Sequence, residues 1–200
     1  MPVLGITGGI ASGKSTVARA LLRQVPALLF DADACAHQLL EADLPLRSAL
    51  FGLFGLHGFS GDAADLRAVL REAVFSDPSK RKALESLIHP RIRESWVKQA
   101  ESYRGSSQWL FVEIPLLYET SAEPHFDRVL VVACSEATQI GRLGGIRGIK
   151  REMAQKIIAT QLDLGLKMEK ADHVIWSECP NRELEAQVSL LVGWLKERYG

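Results

Sequence analysis

The chain has 200 residues, of which 47% are hydrophobic and 24% charged, a composition typical of one compact domain with at most a small insertion. Lysines plus arginines equal aspartates plus glutamates at 24 each, so no net charge attracts nucleic acid or an anionic membrane. Cys35, Cys134 and Cys179 are odd in number and widely spaced, which argues against a disulfide framework or a zinc site and favours a reducing cytoplasm. No run approaches the ~18 apolar residues of a membrane span. We expect no nucleic-acid or membrane partner, and the sequence does not distinguish a monomer from a weak oligomer.

Short apolar runs alternate with segments of helical periodicity along most of the chain. Val3 to Thr7 predicts a strand, and the apolar spacing from Lys14 to Gln24 predicts a helix after it. Ala27 to Phe30 predicts a second strand, which a helical stretch follows. Three further strands are predicted at Trp109 to Ile114, Arg128 to Ala133 and Asp172 to Trp176. This rhythm predicts an α/β fold with a five-stranded parallel sheet flanked by helices.

Two segments interrupt this rhythm. Pro45 to Tyr103 is helical in pattern, with breaks at Gly58 to Gly61 and at Asp77-Pro78, and predicts a helical subdomain at about 45–107, inserted in a core of about 1–44 and 108–200. Gly141 to Lys150 reads GRLGGIRGIK, which is rich in glycine, basic and free of acidic residues. We interpret this segment as mobile and facing anions, and predict a lid at about 141–151. A last helix is predicted from Arg182 to Arg198.

The most specific motif follows the first predicted strand. Residues 8–15 read GGIASGKS, which fits G-x-x-x-x-G-K-[ST] between a strand and a helix. Its glycines allow backbone N–H groups to surround an anion, and the helix N-terminus adds partial positive charge. Lys14 would reach the β- and γ-phosphates, and the Ser15 hydroxyl would ligate Mg²⁺. We therefore predict a P-loop NTPase fold that uses ATP and Mg²⁺. The predicted ATP-binding loop consists of Gly8, Gly9, Ile10, Ala11, Ser12, Gly13, Lys14, Ser15 and Thr16.

Other nucleotide-binding classes fit less well. A guanine-reading Asn-Lys-x-Asp motif is excluded because the only asparagine is Asn181, and no aspartate has a glycine three residues later. The zero net charge gives no support to a nucleic-acid motor. A small-molecule kinase remains the leading hypothesis. A kinase for shikimate or a nucleoside and a non-catalytic nucleotide-binding module are the alternatives.

Such a kinase needs a carboxylate near the acceptor hydroxyl. Asp31 and Asp33 follow the second strand, at the edge where open α/β sheets bind ligands. One carboxylate can bind the acceptor hydroxyl, while the other helps to hold metal or water. The alternative for Asp31 is a cap of the next helix. Glu113 ends the third strand and is predicted to bind Mg²⁺ directly or through water.

For each of the remaining candidate site residues, a purely structural role is the alternative to a functional one. Leu116 and Leu117 could line a substrate pocket or pack in the core. His89, in LIHPRI, is a structural histidine or a substrate contact. Arg142 and Arg147 could bring guanidinium groups onto the migrating phosphoryl when a lid closes, or belong to a solvated basic loop. Because Arg142 follows a predicted strand and helix, the lid interpretation is favoured for this residue.

Six segments together resemble the dephospho-coenzyme A kinase family, in the expected order over nearly the whole chain. They are TGGIASGKST, DADACAHQL, LIHPRI, IPLLYE, QIGR and KADHVI. The resemblance implies transfer of the ATP γ-phosphoryl to the 3′-hydroxyl of dephospho-CoA, the last step of coenzyme A synthesis. It also implies a core domain, a helical domain on the CoA side and a lid.

The same resemblance assigns roles to several positions. It implies that Asp33 is the catalytic base and that Lys14 and Arg142 stabilise the phosphates. Leu116 and Leu117 would lie along the acceptor site, with His89 nearby.

Two positions depart from the family pattern. Ile146 stands where the family usually has a second lid arginine, and Arg147 follows one residue later. Ser177 stands where the family has an asparagine near the adenine. We assign Arg147 and Ser177 to the ATP-binding residues as well.

Overall fold

The computed structural model describes residues 2–104, 106 and 108–199, except for the side chains of Ser76 and Arg147. Two compact units divide the chain. The first, here called the sheet unit, comprises Met1–Phe30 and Ala100–Gly200, and the second, the helical unit, comprises Asp31–Gln99. The domain boundaries predicted from the sequence, at about 45 and 107, stay a prediction.

A five-stranded sheet is the centre of the sheet unit. Its strands are β1 (Val3–Gly8), β2 (Ala27–Asp31), β3 (Trp109–Glu113), β4 (Arg128–Ala133) and β5 (His173–Trp176). They lie in the order β2-β3-β1-β4-β5, and β1 pairs in parallel with both β3 and β4, as β4 does with β5. In this register Ile6 lies opposite Glu113 on one side and Leu130 on the other. The predicted α/β fold with a parallel sheet is confirmed.

Helices account for most of the remaining described residues. They are α1 (Lys14–Leu22), α2 (Ala32–Ala42), α3 (Leu44–Phe54), α4 (Ala63–Ser76), α5 (Pro78–Tyr103), α6 (Glu136–Arg147), α7 (Arg151–Ala159), α8 (Leu164–Lys170) and α9 (Asn181–Tyr199). The breaks predicted near Gly58 and at Asp77 separate α3 from α4 and α4 from α5.

The two faces of β1 pack against different partners because successive side chains of a strand point to opposite faces. Leu4 and Ile6 belong to a buried cluster with residues of α1 and α9. On the other face, a Cβ added to Gly5 would lie 2.8 Å from Leu117 and 2.9 Å from Phe126. A glycine at this position therefore lets the segment after β3 approach the sheet closely.

The glycine-rich segment after β4 continues a helix. Ser135 caps α6 by accepting a hydrogen bond from the Thr138 N–H, and α6 ends at Gly148, whose φ is 64°. Residues 141–147 therefore form the second half of α6, and only residues 148–150 connect it to α7. The solvated-loop alternative is wrong for residues 141–147, because the helix that begins at the Ser135 cap runs through these glycines. Their movement as a lid stays a prediction.

Gln187 of α9 covers part of the outer edge of β5. Its side-chain oxygen accepts a hydrogen bond from the Trp176 N–H at 2.9 Å, and its Nε2 donates to the Trp176 carbonyl at 3.0 Å. The backbone groups of Trp176 that face away from β4 are therefore paired within the chain.

The helical unit has its own apolar core. Leu46, Leu50 and Leu66 are fully buried, in a cluster that also contains residues of α2, α4 and α5. Asp43 caps α3 through the Leu46 N–H at 2.8 Å, and its other oxygen accepts a hydrogen bond from Arg91 of α5 at 3.0 Å. A single carboxylate thus fixes the start of one helix and its packing against another.

Among the described residues, no helix is both long enough and apolar enough to cross a bilayer.

Removal of a core side chain should destabilise the helical unit. Leu66→Ala leaves a cavity at a fully buried position, and we expect its free energy of unfolding to fall by about 2–5 kcal/mol. Leu44→Ala is the matched control, since Leu44 is 73% exposed in the same unit. Urea unfolding monitored by circular dichroism measures both, and equal midpoints for the two variants would contradict the packing described here.

Candidate active site

The loop from Gly8 to Gly13 joins β1 to α1 and requires glycine at specific points. Gly8 and Gly13 have φ values of 147° and 93°, which L side chains rarely adopt. A Cβ added to Gly8 would lie 2.1 Å from the carbonyl oxygen of Val132 in β4. The loop can therefore take this course only because Gly8 has no side chain.

Two glutamine side chains hold the peptide groups of Ile10 in this loop. Gln139 of α6 donates from Nε2 to the Ile10 carbonyl at 2.7 Å, and the Gln161 side-chain oxygen accepts from the Ile10 N–H at 2.9 Å. Gln139 is 3% exposed, and a Cβ added to Gly9 would lie 2.3 Å from its Nε2. No sequence pattern predicts a role for either glutamine. The only signal was that Gln139 belongs to the QIGR segment.

Arg142 and Ser177 hold the next part of the loop. Arg142 donates from Nη1 to the Ala11 carbonyl and to the Ser177 hydroxyl, both at 3.1 Å, and from Nη2 to the Ser177 carbonyl at 3.0 Å. The Ser177 hydroxyl in turn donates to the Ser12 carbonyl. Ala11 has a φ of 57°, so these contacts stabilise a backbone conformation that is unfavourable for alanine. The structure thus brings both predicted ATP-binding residues to the phosphate loop.

The Lys14 ammonium group lies against the loop itself. Its Nζ is 2.9 Å from the Gly9 carbonyl oxygen and 3.5 Å from that of Gly8, and the residue is 8% exposed. Within the described part of the chain, α1 starts without a side-chain cap and without an acidic residue in its first turn. The positive end of the helix dipole and the Lys14 charge therefore act on the same loop, which suits an anionic ligand.

Ser15 and Glu113 meet where β1 and β3 end. The Ser15 hydroxyl donates to Glu113 Oε1 at 3.1 Å, although the two residues are 98 positions apart in the sequence. A hydroxyl and a carboxylate are oxygen ligands of the kind that Mg²⁺ prefers. The described residues contain no group of three or more histidines, cysteines, aspartates or glutamates that could hold a metal ion.

Two titratable groups near Arg142 have shifted pKa values. Hydrogen bonds from Ser135 hold the pKa of the Glu178 carboxyl below its usual value, so this carboxylate stays ionised while it binds the Ser135 N–H at 2.8 Å. Burial raises the pKa of the Cys134 thiol, although the Arg142 charge opposes this shift. Cys134 is therefore a protonated core residue rather than a nucleophile.

The predicted carboxylates Asp31 and Asp33 lie in the helical unit. Asp31 caps α2, and its Oδ1 accepts hydrogen bonds from the N–H groups of Asp33 and Ala34 at 2.8 and 3.0 Å. The structure therefore shows the capping alternative for Asp31, with one of its two carboxylate oxygens acting as the cap. Asp33 is exposed in the first turn of α2. His89 is half-buried on α5 of the same unit.

The remaining predicted residues differ in burial. Leu117 is fully buried next to Gly5, so it packs in the core of the sheet unit, whereas Leu116 is half-buried. The Arg147 side chain lies outside the described part of the structure. Ile146, at the position of the family's second lid arginine, is 79% exposed at the end of α6.

Similarity to known proteins agrees with this geometry. A family model described as dephospho-CoA kinase matches residues 2–181. A dephospho-CoA kinase of Symbiobacterium thermophilum is 39% identical over 176 residues, which cover 88% of this chain and 73% of that protein. The chain belongs to the dephospho-CoA kinase family. The family predicted from the six sequence segments is thereby confirmed.

Solved structures place the fold among P-loop kinases. A protein of Thermus thermophilus is 34% identical, with a TM-score of 0.76 and 97% coverage of both chains. A shikimate kinase of Acinetobacter baumannii has a TM-score of 0.56 at 10% identity, covering 100% of this chain and 95% of that one, so it shares the fold alone. The relation to dephospho-CoA kinases therefore rests on the family model and the sequence relatives, whereas the likeness to shikimate kinase is limited to the fold.

A side chain at Gly8 should strongly weaken nucleotide binding. Gly8→Ala places a Cβ against the Val132 carbonyl, and the loop must shift to relieve this contact. We expect ATP affinity to fall by ~10²-fold or more, because the donors of the loop lose their alignment. Calorimetric titration with ATP measures the effect.

Gly193→Ala provides the matched control for this variant. A Cβ at Gly193 meets no atom within 4 Å and lies on helix α9, so the same change should leave ATP affinity unaltered. A Gly8→Ala protein that binds ATP like the wild type would contradict the steric argument.

Proposed function

We propose that the chain transfers the γ-phosphoryl group of ATP to the 3′-hydroxyl of dephospho-CoA, giving coenzyme A and ADP, in a reducing cytoplasm. Membership of the dephospho-CoA kinase family over residues 2–181 carries this proposal. The phosphate loop, with Lys14 and an uncapped helix N-terminus, supports a nucleoside triphosphate as the phosphoryl donor. The three cysteines are free in the structure, in agreement with a reducing compartment.

On the ATP side, the chain supplies positioning and positive charge. Phosphoryl transfer needs little covalent chemistry from the protein, so alignment and charge stabilisation account for most of the rate. Lys14 would move its hydrogen bonds from the Gly9 carbonyl to the phosphate oxygens and neutralise charge that develops on them. Arg142 would add a second positive charge, with its orientation fixed by Ala11 and Ser177. Arg147 and the lid at about 141–151 are proposed from the family resemblance.

Ser15 and Glu113 are the residues proposed to hold Mg²⁺. Their oxygen atoms fit this ion, since a hydroxyl and a carboxylate already converge within 3.1 Å. With ATP, such an ion would offset part of the negative charge on the phosphate oxygens. The hydrogen bond from Ser15 to Glu113 also fixes the serine rotamer before a ligand arrives.

On the acceptor side, Asp33 is the proposed general base. Its carboxylate accepts the proton of the 3′-hydroxyl, and the hydroxyl oxygen forms the new bond to the γ-phosphorus. The bond from that phosphorus to the bridging oxygen breaks, and ADP leaves with the electron pair. Because Asp31 caps α2 through the Asp33 N–H, it fixes the backbone that carries the base. His89 and Leu116 are proposed to contact the acceptor.

A direct assay tests the proposed function. Incubation with Mg-ATP and dephospho-CoA should give coenzyme A and ADP in equal amounts, and chelation of the metal should stop the reaction. Shikimate and adenosine in place of dephospho-CoA should give no acceptor-dependent ADP, because the similarity to shikimate kinase is limited to the fold. Turnover of another acceptor, or ATP binding without turnover, would replace this proposal by one of the two alternatives.

Replacement of the proposed base should slow the chemical step. Asp33→Asn keeps the size of the side chain but removes its basicity, and we expect kcat to fall by ~10²-fold or more with ATP affinity unchanged. Steady-state kinetics and an ATP titration separate the two quantities. Asp65→Asn, an exposed aspartate in the first turn of α4, is the control and should retain kcat. A retained kcat in Asp33→Asn would exclude this residue as the base.

A further inference from the structure

The segment Gln161–Lys167, which leads into α8, contacts two different loops of the sheet unit. At one end the Gln161 side-chain oxygen accepts from the Ile10 N–H in the phosphate loop at 2.9 Å. At the other end Lys167 Nζ binds Glu119 and the Pro115 carbonyl in the segment that follows β3. We call residues 114–119 the β3 loop. One short segment therefore connects the loops that follow two neighbouring strands.

Lys167 is fully buried, which is unusual for a lysine. Its Nζ lies 2.8 Å from Glu119 Oε1 and 3.3 Å from the Pro115 carbonyl oxygen, and its side chain is 0% exposed. Burial removes the ammonium group from water, and the Glu119 carboxylate and the Pro115 carbonyl compensate only when their geometry is good. The Glu119 side chain is 20% exposed, and apolar side chains of similar volume often replace a buried ion pair without loss of stability. The stability of the fold therefore does not by itself explain the pairing of Lys167 with Glu119, which points to a further role.

Lys167 contacts the β3 loop at both ends, through the Pro115 carbonyl and the Glu119 carboxylate. Glu119 Oε1 also accepts from the Leu162 N–H at 2.9 Å, so this carboxylate binds the connecting segment twice. The Pro115 carbonyl accepts a second hydrogen bond, from the Thr7 hydroxyl of β1 at 3.2 Å. Leu116, the half-buried residue proposed to contact the acceptor, lies between these two anchor points in the sequence.

We propose that Lys167 is a positioning residue, which holds the β3 loop in register with the phosphate loop through its bonds to Glu119 and Pro115. This inference rests on the proposed function, since it takes the β3 loop to lie on the acceptor side. Gln161 belongs to the same segment and binds the phosphate loop, so the segment sets the spacing between the two loops. Lys167 does not contact the acceptor and acts on it only through the β3 loop.

The proposal predicts a selective kinetic defect. Lys167→Met removes the charge and both hydrogen bonds but leaves the Gln161 contact to Ile10 intact. We expect kcat/KM for dephospho-CoA to fall by ~10-fold or more, because small misplacements of a reacting group are costly, while the Kd for ATP changes less than ~2-fold. Steady-state kinetics with each substrate varied in turn, together with calorimetric ATP titration, measure this difference. Lys156→Met, at an exposed position of α7, is the matched control and should match the wild type.

The double variant Lys167→Met, Glu119→Gln separates positioning from folding. It leaves no unpaired buried charge, and the glutamine oxygen can still accept from the Leu162 N–H. We expect it to fold even where Lys167→Met does not, and to retain the defect toward dephospho-CoA. Wild-type kinetics in this variant, or a parallel loss of ATP affinity, would overturn the proposal. A wild-type protein that forms no coenzyme A would instead refute the proposed function.

Discussion

The chain leaves β1 at Gly8, which approaches the Val132 carbonyl too closely for any side chain, and the phosphate loop starts there. Residues 9–12 form no regular secondary structure that could satisfy their peptide groups. Several of those groups are paired instead by side chains from other parts of the chain, while the Ser12 N–H donates to the Gly9 carbonyl at 3.2 Å. Gln139 and Gln161 bind the two sides of Ile10, and Arg142 with Ser177 binds the carbonyls of Ala11 and Ser12. The loop is thus held by contacts from α6, from the segment before α8 and from the residue that follows β5.

The parallel sheet explains why the proposed chemical groups of the sheet unit meet. Parallel strands present their carboxyl ends at one edge, so residues far apart in sequence come together there. Ser15 and Glu113 meet in this way after β1 and β3. The same arrangement makes the loops after these strands neighbours that one segment can bind together. The chemistry of the site and its supporting contacts therefore depend on a single topological feature.

Local patterns made the strands, most helices and the phosphate loop predictable. The G-x-x-x-x-G-K-[ST] spacing defines a backbone conformation, and the apolar runs define buried strands. The supporting residues carry no such pattern. Gln161 and Lys167 are ordinary polar residues in the sequence, and their partners lie far away along the chain. The glycines of α6 suggested a loop, but the structure shows a helix, because a capped helix can continue through glycines where packing allows.

The paired edge of β5 bears on how copies of this chain meet one another. An edge strand with free N–H and C=O groups can pair with a strand from a second molecule. The apolar side chains of Val174 and Trp176 would favour such pairing, because they are 42% and 40% exposed. Gln187 already occupies both backbone groups of Trp176, as a neighbouring strand would. Growth of the sheet into an aggregate would first have to displace this amide. One glutamine on the last helix thus occupies the backbone groups that a second chain would need to extend the sheet at Trp176.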